Sequence, residues 1–197
     1  MTVLGFTVSF YSPFRVGSAY ARDGVDAALD QHDPLPPDHL KGLMRAAAAG
    51  LLGQGEAGSR HGHWAVQEVF GSTRTPSPWS WSSATLDRQA EQRWDISRRH
   101  RVAIDPDKHS ALKDQLVLGE QAWAPAARFE ISRVGLLDAA TLAEDDHVLI
   151  LRCAAAGVHG LGAWRRRGLG WVGITPDDAP VSPADIQRLL ALAGASR

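Results

Sequence analysis

The clearest alternation in the chain is at its start. Over residues 3–10, Leu4, Phe6, Val8 and Phe10 fall on one side, and Thr7 and Ser9 on the other. That is the period of two that a half-buried strand requires. Ser12-Pro13 ends it, and residues 17–37, rich in Gly, Asp and Pro, predict a long loop; such loops in compact domains usually carry function. The period then changes. Leu40, Leu43, Met44, Ala47 and Leu51 recur at helical spacing and predict a helix over 38–52. Pro36 and Pro37 precede it, Asp38 can serve its N-terminus and Gly53 can close its C-terminus.

Residues 53–94 show no regular period. Residues 101–105, 115–119 and 128–134 read as three further strands. A second helix is expected from Asp145 or Asp146 to about Gly157, a last strand over 171–174, and a closing helix in SPADIQRLLALAG. Helices set singly among strands, with antiparallel-looking turns, predict an α+β fold. With neither internal repeat nor linker, residues 1–197 are expected to form one domain.

Composition narrows the classes without choosing a function. The chain is 44% hydrophobic and 22% charged, ordinary for a globular domain. It holds no apolar run of about 18 residues that would span a membrane. The opening MTVLGFTVSF lacks the basic start and long apolar stretch of a secretory signal. A single cysteine, Cys153, permits no intrachain disulfide and suits a reducing cytoplasm; in LILRCAAAG it reads as a small core residue. The net charge of −1 argues against condensation on nucleic acid by bulk electrostatics. Yet the charge is segregated: Arg165, Arg166 and Arg167 are consecutive, Arg98, Arg99 and Arg101 surround His100, and Glu144, Asp145 and Asp146 cluster elsewhere. One basic face is therefore available.

The segment GLGAWRRRGLG, residues 160–170, carries the most chemistry. Glycines let backbone approach a ligand and turn N–H groups towards an anion, and arginines make bidentate phosphate contacts. No Gly-Lys-Ser/Thr follows, so it is no Walker loop, and the arginines sit inside the turn, so it is no dinucleotide fingerprint. An exposed basic hairpin with turn glycines is the equal alternative. Trp164, inside this loop, is awkward to bury and can stack on a base. Lys41 and Arg45 are four apart and share the polar face of the predicted helix. His61 and His63, in RHGHW, have the spacing that puts both on one side of a strand, but no third metal ligand follows.

Four pieces, in order, resemble the CRISPR-associated RAMP superfamily. SPFRVGS resembles the end of the family's first strand. PLPPDHLKGLMR resembles its Leu-Lys-Gly helix start, matching at Leu40, Lys41, Gly42 and Arg45. RRHRVAIDPDKHSALKDQLVLGEQAW resembles the segment that runs from Arg-Val-Ala-Ile-Asp to a Glu-containing strand, matching at Val102, Ala103, Ile104, Asp105, Ala111 and Glu120. LGAWRRRGLGWV resembles the family's glycine-rich loop at Leu161, Gly162, Arg167, Gly168 and Gly170. Phe70-Gly71 fits a fifth, weaker motif. The chain departs from the pattern where Asp38 and His39 replace the small residues before Leu-Lys-Gly, where Ala163 replaces a loop glycine, and where residues 72–100 leave little room for a thumb-like insertion.

The resemblance implies a ferredoxin-like, RRM-type antiparallel sheet backed by helices, and it is closest to the type III effector backbone subunit. It implies binding of guide RNA and complementary target RNA, through Lys41, Arg45, Gly162, Trp164, Arg165, Arg166, Arg167, Gly168 and Gly170. It also implies assembly with copies of itself and with other effector subunits in a cytoplasmic ribonucleoprotein. GVDAALDQHDPLPPDHLKG places Asp26 where that subunit's target-cleaving aspartate lies, and the implied cleavage would use Mg²⁺. Three other readings stay open: a non-catalytic structural or terminal subunit, a RAMP-type guide-RNA-processing endonuclease using His32 or His39, and a metal-dependent enzyme using His61 and His63.

Overall fold

The computed structural model describes residues 2–17, 23–53, 62–87 and 95–195. The chain is α+β. β1 (Val3–Phe10) lies at the centre of the main sheet, antiparallel to β6 (Ala126–Arg133) on one side and β7 (Val172–Pro176) on the other. Beyond β6 come β2 (Trp79–Trp81) and β3 (Thr85–Leu86), both antiparallel to it. The strand order is β2-β6-β1-β7. α1 (Pro37–Leu52) lies between β1 and β2 in sequence, and α3 (Glu144–Ala156) between β6 and β7. Each connection skips one place in the sheet, giving two interleaved split β-α-β units.

The alternation in β1 puts Phe6, Val8 and Phe10 into the core. They meet α1, whose buried stripe is Leu40, Met44, Ala48 and Leu52. Leu51, expected in that stripe, is instead largely exposed. α3 contributes Leu149, Ile150, Leu151, Cys153 and Ala154; Cys153 is a core residue, and burial raises its thiol pKa. α4 (Pro183–Ala193) starts with a capping box between Ser182 and Asp185. It is tied to α3 by a 2.6 Å ion pair between Arg188 and Asp146.

Two findings differ from the sequence expectation. The segment without period contains α2 (Trp64–Phe70), β2 and β3. Trp79 and Trp81 anchor it: the Trp79 indole donates to His147 Nδ1 at 3.1 Å, and the Trp81 indole to Met44 Sδ at 3.4 Å. The expected short strands at 101–105 and 115–119 are parts of a long antiparallel hairpin, β4 (Asp95–Ile104) and β5 (Ala111–Trp123). Its base is stitched into the domain, with Phe14 pairing Ala122 and Ala27 running parallel to Gly119. Its distal part, residues 102–117, is solvent-exposed almost throughout.

Candidate nucleic-acid interface

The glycine-rich loop is held at its neck and docked along its side. Leu161 N–H donates to Gly170 O at 2.8 Å, and Gly160 bridges Trp171 across the neck. Gly170 N–H donates to Pro13 O and Ala163 N–H to Arg15 O, at 2.8 and 2.7 Å. Glycine is obligatory at two of these positions. A Cβ on Gly162 would lie 2.2 Å from Arg15 O, and one on Gly170 would lie 1.9 Å from Leu161 O; both residues have positive φ, 72° and 74°. The loop glycines thus admit the protein's own backbone, the use that spacing alone could not tell from approach to a ligand. Gly168, at φ 80°, has open space where its Cβ would be.

Between these anchors, Arg165–Arg167 form one turn of 3-10 helix (η1), flanked by Trp164 and Gly168 in left-handed backbone geometry. All three arginines are exposed. The left-handed region is rare for a bulky residue and costs about 1–2 kcal/mol, yet Trp164 has φ 60°. Its ring is well occupied. It rests on Gly119 of β5, where a Cβ would come within 2.1 Å of the ring. The guanidinium carbons of Arg15 and Arg101 stand 4.9 and 4.7 Å from its centroid, a double cation–π arrangement. The base stack expected of Trp164 therefore meets a ring already covered within the molecule.

The sandwich explains how β4 joins the site. Residues alternate along a strand, so Arg99 and Arg101 share the face that meets the loop, while Arg98 and His100 face away. Arg99 makes a long 3.5 Å contact with Arg167 O. Arg15 is half-buried and donates to Ala27 O and Ala28 O, both at 3.3 Å. Burial lowers its pKa and nearby Glu120 partly offsets this. Glu120 is buried and accepts Leu29 N–H at 3.2 Å. His39, at the start of α1, accepts Gly162 N–H on Nε2 at 3.0 Å. Burial, helped by the charge of Arg165, holds its pKa below 6.5, so the neutral acceptor form is favoured. Five cationic groups thus converge: Arg99, Arg101 and the η1 triplet. No carboxylate forms an ion pair with any of them among the described residues.

The other expected site residues sit elsewhere. Arg45 donates to Gly71 O at 2.8 Å and closes the carboxyl end of α2. Lys41 lies over the Trp81 ring at 5.3 Å. Both thus face the α2–β2 flank. Asp26 lies on the far edge of β5, where its Oδ2 accepts Leu118 N–H at 2.8 Å while its own N–H donates to Leu118 O at 2.9 Å. Of its acidic neighbours, Asp30 turns back on the N–H groups of His32 and Asp33, and Asp33 accepts Ser83 Oγ at 2.9 Å. No group of three or more His, Cys, Asp or Glu converges as a metal site among the described residues. A lone carboxylate such as Asp26 fits Mg²⁺ only where RNA phosphates complete the coordination, which is a common way of holding this ion.

His63 is buried and accepts Ala65 N–H on Nδ1, capping α2; His61 lies outside the described residues. Two exposed aromatics, Trp171 beside the arginine turn and Tyr11 paired with it, are absent from the residues the sequence singled out. Their signal was present in the alternation with buried Phe10 and Val172. No described helix is long and apolar enough to cross a membrane.

No curated protein matches the chain. The family model of the RAMP superfamily matches residues 7–173, from the central strand β1 through the glycine-rich loop into β7. The chain belongs to the RAMP superfamily.

Proposed function

We propose that the protein is the guide-RNA-binding backbone subunit of a multi-subunit CRISPR ribonucleoprotein effector. Superfamily membership supports the broader part, a CRISPR-associated RNA-binding subunit. The strand order β2-β6-β1-β7 supports the ferredoxin-like, RRM-type reading of its core. One observation carries the role: three exposed arginines on a single rigid turn, backed by Arg99 and Arg101 and without carboxylate partners among the described residues. Such a surface contacts phosphates without reading bases, which suits a protein whose sequence information resides in a guide. The triple variant Arg165→Ala/Arg166→Ala/Arg167→Ala should bind single-stranded RNA at least tenfold more weakly at about 0.1 M salt. Its log Kd should also depend less steeply on log salt, because fewer counterions are released. Equal slopes for variant and wild type would refute the role.

A second reading, the non-catalytic structural subunit, is favoured by Asp26. Its Oδ2 already accepts a strand N–H, which is reason enough for a carboxylate to stand there. As the cleaving group, Asp26 would hold Mg²⁺ together with phosphates of the target RNA and so supply charge stabilisation at the broken bond. Cleavage of complementary RNA by the assembled complex separates the two. Cuts that vanish in Asp26→Asn assign catalysis to Asp26. The absence of cuts with wild-type protein assigns the structural role.

A further inference from the structure

The open face of the sheet ends in two exposed aromatic residues, Tyr11 and Trp171, of which Trp171 adjoins the arginine turn. Tyr11 follows buried Phe10 and Trp171 precedes buried Val172, so both project from the face opposite the core. They are directly opposed, since Tyr11 N–H donates to Trp171 O at 2.9 Å. Trp171 N–H donates to Ser12 Oγ at 2.9 Å, a second tie to the same segment. Gly173 makes room for the neighbouring ring, because a Cβ there would lie 3.0 Å from Tyr11 Oη. The two residues are 69% and 62% exposed, a costly display for aromatics of this size in one place. A cavity of about 460 Å³ adjoins Trp171, lined also by His159, Leu169, Arg165 and Arg166.

A π surface next to two guanidiniums matches the two parts of a nucleotide, a planar base and a phosphate. Trp164 lacks this opportunity, since its ring is covered by Arg15, Arg101 and β5. We propose that Trp171 and Tyr11 form a base-stacking subsite for single-stranded RNA, with the phosphates of the stacked nucleotides on Arg165 and Arg166. The subsite is tolerant of sequence, because every base has a π face. It rests on the reading that the arginine turn binds RNA, and it moves the stacking role from Trp164 to Trp171.

The test compares a ten-nucleotide oligoadenylate with an abasic RNA of equal length and charge, by fluorescence anisotropy on the full chain. Wild type should prefer oligoadenylate about tenfold or more, from one or more base stacks. Trp171→Ala/Tyr11→Ala should lose that preference while keeping its abasic affinity and salt slope, and Trp171→Phe should retain most of it. Thermal melting would verify that each variant is folded. A double variant that keeps the full preference overturns the subsite. A dimer in light scattering that dissociates in the double variant, with the preference intact, would assign the pair to a contact between copies. The arginine triple variant tests the parent reading separately: its abasic affinity should fall. If that affinity falls and the aromatic pair is without effect, only the subsite fails. If wild type binds neither RNA, both fail together.

Discussion

Trp164 and Trp171 stand at opposite ends of the same arginine loop, and the contrast between them separates architecture from recognition. Trp164 is half-buried in a left-handed backbone position, with a guanidinium against its ring from each of Arg15 and Arg101 and a glycine beneath it. Trp171 sits at a strand start, its backbone bonded to Tyr11 and Ser12 and its ring largely in solvent. Both have arginines nearby in the fold. In one case the cations are spent on holding the loop, in the other they remain on the surface.

The largest expected effect falls on the glycines that admit this packing. Gly170→Ala and Gly162→Ala each place a Cβ about 2 Å from a backbone oxygen and demand positive φ, so each should destabilise by about 3 kcal/mol or more. Gly119→Ala meets a side chain instead, the Trp164 ring, and should cost about 1–3 kcal/mol. Chemical denaturation would rank them. A Gly170→Ala variant as stable as wild type would contradict the described neck of the loop.

Next come the tryptophans themselves. Trp164→Ala removes a ring packed on β5 and two cation–π contacts, and should lower stability by about 2 kcal/mol. Trp171→Ala should change it by no more than about 0.5 kcal/mol, as for an exposed site. Comparable losses of stability would erase the distinction drawn between them.

A pH series sharpens the picture from the side of His39. Its pKa is lowered in the fold, by burial first and by Arg165 second, so the unfolded chain binds the proton more readily. The stability derived from the neutral form is full above 6.5 and is lost as pH falls through the depressed native pKa. His147, lowered mainly by burial, acts in the same direction. Melting temperature should therefore drop between about pH 7 and pH 5. His39→Gln, which can still accept from Gly162, should reduce the drop. An undiminished drop would assign it to other groups.

A smaller effect than at Trp164 is expected at Asp26. Removing the carboxylate that accepts Leu118 N–H should cost about 0.5–1.5 kcal/mol in Asp26→Ala. Asp26→Asn, which keeps a side-chain carbonyl acceptor, should cost less. Equal costs would show that the hydrogen bond matters little to the loop.

Where one face of an element is buried, the sequence was a good guide. β1, α1, α3 and α4 have an apolar side at the right period, and each was found within a few residues of its place. α2 was missed because seven residues give barely two turns of pattern, and β2 because WSW is too short to show alternation. The hairpin was truncated because residues 102–117 are exposed on both faces and carry no alternation to read.

The sequence by itself determined the α+β class, the core faces and the position of the arginine turn, because each depends on local periodicity or adjacency. It also supplied the family's motifs, in order. Only the tertiary structure decided what lies against that turn. Arg15, Arg99, Arg101, Gly119 and Trp164 are brought together from four separate elements, whereas Lys41 and Arg45, members of the Leu-Lys-Gly motif, turn to the α2–β2 flank. Whether an arginine or a tryptophan is used internally or left to a ligand depends on which surfaces the folded chain has already covered. Residue type cannot encode that, because one guanidinium can satisfy a ring, a carbonyl or a phosphate equally well.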